Sequence, residues 1–192
     1  MRAATSVMFL LALAPALAGS GANTFDFGRV GPLRIGMTQA QAEQALGSRI
    51  KLTGLKKTRG PMDCGMGDVR IGSATVSVLF DGNRLQQIGF SDPGIRMSNG
   101  LGIGSRARDI ERVYGKSAPY QDPGRPSRVW SDSNLYDEND HRIHVDPPLP
   151  ARNGKGFRGA KPPGIQFDFG PLSPESKVKE ISVGQDYAEG CA

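Results

Sequence analysis

The densest run of side chains able to do chemistry is D-E-N-D-H-R-I-H-V-D, residues 137–146. It holds Asp137, Glu138, Asp140, His141, His144 and Asp146, with both histidines of the chain. Imidazole and carboxylate ligands can hold zinc or move protons. The spacing points elsewhere. On a strand, residues i and i+3 face opposite ways, so His141 and His144 do not converge on one ion. Ile143, Val145 and the prolines that follow favour an extended chain. The run reads as a hairpin turn at Asp137–Asp140 feeding an edge strand.

Two glycine patterns invite a nucleotide reading. Gly102-x-Gly104-x-x-Ala107 matches a dinucleotide fingerprint, but that fingerprint needs a buried parallel strand before it and a βαβ order after it. The segments that follow are antiparallel, and glycines flanking a capped helix account for the pattern. Gly154-Lys155-Gly156 lacks the G-x-x-x-x-G-K-[ST] frame of a phosphate loop. No G-x-S-x-G elbow presents a serine nucleophile. The 19 acids are scattered without a paired spacing. No catalytic residue, metal ligand or cofactor is assigned, and the expectation is a protein that is not an enzyme.

Cys64 and Cys191 are the only cysteines. Neither sits in C-x-x-C or beside a histidine, so nothing activates a thiol. In an exported chain such a pair is expected to form a disulfide. Residues 146–164 form a long Pro/Gly segment carrying Arg152, Lys155, Arg158 and Lys161, with no acid after Asp146. Segments of this kind are functional or disordered. A mobile connector is expected, with contact to an anion or a partner as the alternative.

The elements that must position these groups come in a pair. Residues 33–47, L-R-I-G-M-T-Q-A-Q-A-E-Q-A-L-G, align with 101–115, L-G-I-G-S-R-A-R-D-I-E-R-V-Y-G, at an offset of 68 (101 − 33). Leu33, Ile35, Gly36, Glu43 and Gly47 meet Leu101, Ile103, Gly104, Glu111 and Gly115. Phe25, Phe27 and Val30 lead into the first copy. Thr38 and Gln41 make a T-x-x-Q capping box before a helix at 39–46 with an Ala42, Ala45, Leu46 stripe, and Gly47 ends it. Ser105 is the expected cap of the second helix, Ile110, Val113 and Tyr114 its stripe, and Gly115 its end. Each unit then supplies strands. Val76–Phe80, the turn Asp81-Gly82-Asn83 and Leu85–Phe90 form one hairpin. Ile165–Phe169, a Gly-Pro-Leu-Ser-Pro-Glu-Ser turn and Lys177–Val183 form another. Further strands are expected at Val69–Ile71, Arg128–Ser131 and His141–Val145.

The fold class expected is α+β: two tandem helix-plus-antiparallel-meander repeats, residues 25–92 and 93–192, sharing one sheet with the helices on one face. Arg2, the apolar run Val7–Ala14 and Ala16-Leu17-Ala18 read as an export signal over 1–18, with cleavage after Ala22 as the alternative. A single domain over 19–192 follows, periplasmic or secreted. The apolar run is too short to span a bilayer, and no transmembrane segment is expected. The formal charge is +5, or +4 (5 − 1) once Arg2 is removed, too small and scattered for nucleic-acid binding.

The stretch F-G-R-V-G-P-L-R-I-G-M-T-Q-A-Q-A-E-Q-A-L-G resembles the repeat of β-lactamase-inhibitor-protein-like domains. It is also similar to small outer-membrane assembly lipoproteins of the SmpA/OmlA type, which share the apolar residue, G-M-T, helix and closing glycine. The resemblance covers Phe25–Gly47 and, more loosely, Leu101–Gly115. The ending I-S-V-G-Q-D-Y-A-E-G-C-A resembles that of uncharacterised exported bacterial proteins with the same layout. In those proteins a mid-chain cysteine accompanies the E-G-C ending, as Cys64 accompanies Cys191. The resemblance implies a tandem helix-plus-sheet fold and a non-enzymatic role in contact with an unidentified envelope protein. The chain departs from the inhibitors in having one cysteine pair rather than one per repeat, and from the lipoproteins in having no lipid-attachment cysteine. The expected function is therefore an exported, monomeric module acting by protein–protein contact. The alternative is a small-ligand or anion-binding envelope protein using the basic loop.

Overall fold

The computed structural model describes residues 23–54, 64–116, 118–119, 129–134, 137–147 and 163–184. The expected export signal, Cys191, and loop residues 148–162 with Arg152, Lys155, Arg158 and Lys161 lie outside them.

Three short strands, β1 (Phe25–Asp26), β2 (Arg29–Val30) and β3 (Leu33–Arg34), form a small antiparallel sheet before helix α1 (Gln39–Leu46). Then come β4 (Thr53–Gly54), β5 (Cys64–Ile71), β6 (Ala74–Asp81), β7 (Arg84–Phe90) and helix α2 (Ala107–Tyr114). The chain continues through β8 (Ala118–Pro119), β9 (Val129–Asn134), β10 (Asp137–Val145), β11 (Gly164–Asp168) and β12 (Glu180–Gly184). The nine later strands make one sheet in the order β4-β5-β6-β7-β12-β11-β10-β9-β8. Every pairing in it is antiparallel except β8 with β9. The class is α+β, mostly strand, and strands from both halves of the chain share the large sheet.

Alternation explains the layering. Ala74, Val76, Val78 and Phe80 of β6 are buried, while Thr75, Ser77, Leu79 and Asp81 between them are not. Ile143, Val145, Ile165, Phe167, Ile181 and Val183 continue the buried face across the second half. All of these join one core with Ala42 of α1 and Ala107 and Ile110 of α2, and with Phe25, Val30 and Leu33 of the small sheet. Eight-residue helices cannot hold their shape alone, so this packing is what keeps them. The turn between β6 and β7 places Gly82 (φ 51°) and Asn83 (φ 63°) in the left-handed region, as a type I′ hairpin requires.

Both helices enter from one backbone move. Gly36 (φ 88°) donates its N–H to the Leu85 carbonyl, and Leu85 donates back to Met37. Gly104 (φ 82°) donates to Val178, and Val178 donates back to Ser105. Each glycine has open space where a Cβ would sit, so the dihedral and not crowding demands glycine there. The two helices are α1 at 39–46 and α2 at 107–114, again 68 apart (107 − 39).

The structure corrects several expectations. Thr38 and Gln41 do form the capping box, but the cap position of α2 is Arg106, whose side chain makes no capping bond. Ser105 lies one residue too early, and its hydroxyl accepts from Gly102 N–H instead. The orphan N–H groups of Ala107 and Arg108 donate to the carbonyls of Ser176 and Pro174. Ala45 is exposed and Val113 is 48% exposed, so neither belongs to its stripe. Residues 137–140 are not a hairpin turn but part of β10, with a register shift between Asp137 and His141. Nor is β10 an edge strand, since β11 and β9 flank it. The last strand starts at Glu180 rather than Lys177. The chain at 177–178 is diverted to the entry of α2, through the Arg106–Lys177 bridge and the Val178 bonds.

Candidate functional site

The face of the large sheet away from the helices carries a cleft of about 360 Å³. Its floor lies where the two halves of the chain meet. Strands β7 and β12 pair through Phe90↔Ile181, Gly89↔Ser182, Ile88↔Val183 and Gln87↔Gly184. Gly89 and Ser182 face the cleft from the middle of that seam. Ser77 on β6 donates its hydroxyl to the Gly89 carbonyl at 3.2 Å. A Cβ on Gly89 would sit 2.6 Å from Ser77 Oγ, so the bare backbone leaves room for that hydroxyl.

Counted outward from the seam, the two walls correspond position by position. Across β7, Gly89 pairs with Ser77 and Gln87 with Leu79, and Leu79 pairs with Met66 of β5. Across β12, Ser182 pairs with Gln166 and Glu180 with Asp168, and Asp168 pairs with Arg142 of β10. All of these residues line the cleft, with Lys179 at its margin. One wall is therefore Met66 beside Leu79, a thioether and an isobutyl group. The other wall, across the seam and displaced along it from the Gly184 row to the Glu180 row, is Arg142 beside Asp168, an ion pair. Met66 is 43% exposed, a large apolar side chain left in contact with water.

The charged wall is tightly organised. Arg142 Nε lies 2.9 Å from Asp168 Oδ1, with the two side chains 18% and 15% exposed. Nε is buried and its N–H is not aimed as a directed hydrogen bond, so the contact is ionic rather than a forked bond. Gln166 Nε2 donates to both Asp168 oxygens, at 2.8 and 3.1 Å. The Asp168 backbone carbonyl accepts from Lys179 N–H at 2.8 Å. Asp168 is thus committed to its neighbours. Glu180 is exposed and reaches over the floor, its Oε1 3.5 Å from a Cβ built on Gly89. The cleft offers hydroxyls, amides and an apolar ledge, and its Arg, Lys, Asp and Glu charges balance.

The residues singled out in the sequence fall elsewhere. His141 and His144 lie on β10 and alternate across it, and His144 is buried at 6% exposure. Among the described residues no three of His, Cys, Asp and Glu are placed to share a metal ion. Gly102 and Gly104 serve the entry to α2. Cys64 opens β5 at 6% exposure, while Cys191 lies outside the described residues. The basic loop residues lie outside them too. Among the described residues no helix is long and apolar enough to cross a membrane. The cleft residues carried one sequence signal, the polar members of alternating strands such as Ser77, Gln166 and Asp168. Nothing local says that β7 lies against β12, and that pairing assembles the site.

No protein-family model matches the chain, and no curated protein matches it. Among solved structures, the uncharacterized protein yfeY from Escherichia coli is similar over 81% of this chain and 95% of its own, with 13% identity and a TM-score of 0.46.

Proposed function

We propose that this chain is an exported, non-enzymatic binding module of the bacterial envelope, working by protein–protein contact through the cleft face of its large sheet. The observation that carries the reading is the cleft itself, with an apolar ledge at Met66 and Leu79 and an organised ion pair diagonally opposite, on either side of a floor of small polar groups. Such a graded surface takes an extended segment with apolar side chains on one edge and polar ones on the other. The reading is also supported by the commitment of Asp168 to Arg142 and Gln166, which holds that wall of the cleft in one arrangement.

The architecture behind this reading is a tandem repeat. Its support is the shared offset of 68 and the recurring Gly36/Leu85 and Gly104/Val178 bonds, with the matching registers on either side of the seam. The repeat keeps the resemblance to β-lactamase-inhibitor-protein-like and SmpA/OmlA-like domains as a proposal, and with it an export signal over 1–18 and a periplasmic or secreted location. A Cys64–Cys191 disulfide belongs to the same reading. No cysteine among the described residues is free.

The test is affinity capture of the tagged chain from its own envelope after mild crosslinking, beside Leu79→Glu and Ser182→Arg variants and an empty tag. One stoichiometric protein, lost with either variant, is expected. No protein above the empty tag, or one retained by both folded variants, would overturn the reading.

A further inference from the structure

The small sheet carries an arrangement that packing does not require. Phe25, Val30 and Leu33 form one row across β1, β2 and β3 and are buried in the core. By alternation the next row, Asp26, Arg29 and Arg34, faces outward. Ile35 donates its N–H to the Gly28 carbonyl at 2.9 Å, so Gly28 and Ile35 are a hydrogen-bonded pair. The pair beside it, Arg29 and Arg34, is of the other kind, with Cα atoms about 4.5 Å apart and side chains at their closest. Two like charges opposed in that register repel.

The fold answers only one of them. Asp26 Oδ2 lies 3.1 Å from Arg29 Nη2 and balances its charge. That contact holds Arg29, whose side chain is 20% exposed and whose buried Nε has no hydrogen-bond partner. Arg34 is exposed and has no side-chain partner among the described residues. The matching stretch 68 residues on is built differently. Gly102 stands where Arg34 stands (34 + 68), and Arg96 lies across it. Arg96 Nη1 donates to the Gly100 carbonyl and Nη2 to that of Ile103, so this arginine staples a turn, and Arg34 staples nothing. Arg96 also faces outward, between buried Ile95 and Met97, and bridges Thr24 just before β1. These outward positions thus set three guanidinium groups against one carboxylate.

We propose that Arg29 and Arg34 bind a phosphate group between them. The small sheet packs on the helix side of the core, so this site is separate from the cleft. A phosphate accepts several guanidinium hydrogen bonds at once and replaces the repulsion of the two arginines by a shared attraction. Asp26 holds Arg29 in place, Arg34 closes on the ligand from the next strand, and Arg96 adds its charge to the field. The phosphate is that of an anionic lipid headgroup or a free one.

The melting midpoint of the full chain, with phosphate replacing chloride at constant ionic strength, tests this beside Arg34→Gln. In chloride the variant should melt at or above the parent, because the repulsion is relieved. Phosphate stabilises folded chains in general, so the difference between parent and variant is the reading. At about ten times the half-saturating phosphate the parent should rise about 3–6 °C more than the variant. A second arm sediments both with vesicles of phosphatidylglycerol in phosphatidylcholine, and of phosphatidylcholine alone. Binding to the anionic vesicles that Arg34→Gln loses makes the phosphate a lipid's, and protection by inorganic phosphate without it makes it a free one. Equal responses of parent and variant in both arms would overturn the site. So would a variant that melts below the parent in chloride, since Arg34 would then have a structural partner.

Discussion

Met66 and Leu79 on one side of the seam hold the positions that Arg142 and Asp168 hold on the other. The helix entries differ in the same way. Helix α1 begins on its own capping box, helped by Asn83 Oδ1, which accepts from Gln39 N–H. Helix α2 begins on carbonyls of Pro174 and Ser176, with Glu175 bridging Arg106 at 3.3 Å and also pairing with Arg108. In each case one backbone geometry is kept and the side chains that support it are exchanged. The first entry adds its own capping box to one bond from the β6–β7 turn, while the second has no side-chain cap and relies on charges and on carbonyls of a turn some 70 residues away (174 − 107). The shared frame sets where groups stand, and the exchanged side chains set what the cleft can recognise.

The sharpest break of this comparison is on the charged wall. Asp168→Leu leaves a largely buried guanidinium unpaired and should lower stability by about 2–4 kcal/mol. Adding Arg142→Met, which makes the second wall a copy of the first, should bring the urea midpoint back to within about 1 kcal/mol of the parent. A double variant no more stable than the single one would mean that the walls are not interchangeable in structure.

Smaller effects follow at the floor and the helix entries. Gly89→Ala drives a methyl into Ser77 Oγ and should cost about 1–2 kcal/mol, relieved by adding Ser77→Ala, which removes the obstructing atom. Thr38→Ala should cost about 1 kcal/mol by removing the capping box. Glu175→Ala removes only exposed ion pairs from the other entry, and about 0.5 kcal/mol or less is expected. Equal losses from the last two would contradict the local-versus-remote contrast.

The smallest effect concerns acid. Glu43 accepts from Ile50 N–H at 3.0 Å and from Gln39 Nε2 at 3.1 Å. The Ile50 bond chiefly holds its carboxyl below the usual glutamate range, with burial opposing it. The folded chain therefore binds this proton less readily than the unfolded one. The stabilisation is full above the ordinary glutamate pKa and is lost as the pH falls through the lowered folded value. Unfolding midpoints followed through the acid range should fall less steeply in Glu43→Gln than in the parent.

How much was legible followed the range of each interaction. The capping box at Thr38 and Gln41, the tight turn at Asp81-Gly82-Asn83, and the limits of α1 are set by residues close in the chain, and each could be read directly, the turn's type I′ geometry coming from the structure. Ser105 was misread because the start of α2 is satisfied by the 174–176 turn, which no local pattern announces. The strand at His141–Val145 was legible from its alternation. Its interior place was not, because the neighbours of β10 are decided by which apolar faces close over the helices. The cleft was legible only as a sheet face, since its two walls come from segments that meet at β7 and β12.

The sequence by itself determined the two helix units, the alternation that gives every long strand an inner and an outer face, and the hairpin between β6 and β7. Those follow from dihedral preference, capping and side-chain period, which act over a few residues. Only the tertiary structure decided that β7 pairs with β12, that Gly89 and Ser182 share a floor, and that Met66 and Arg142 lie on opposite sides of it. That choice is made by burying Ile88, Phe90, Ile181 and Val183 together in one core, a free energy that no single segment carries.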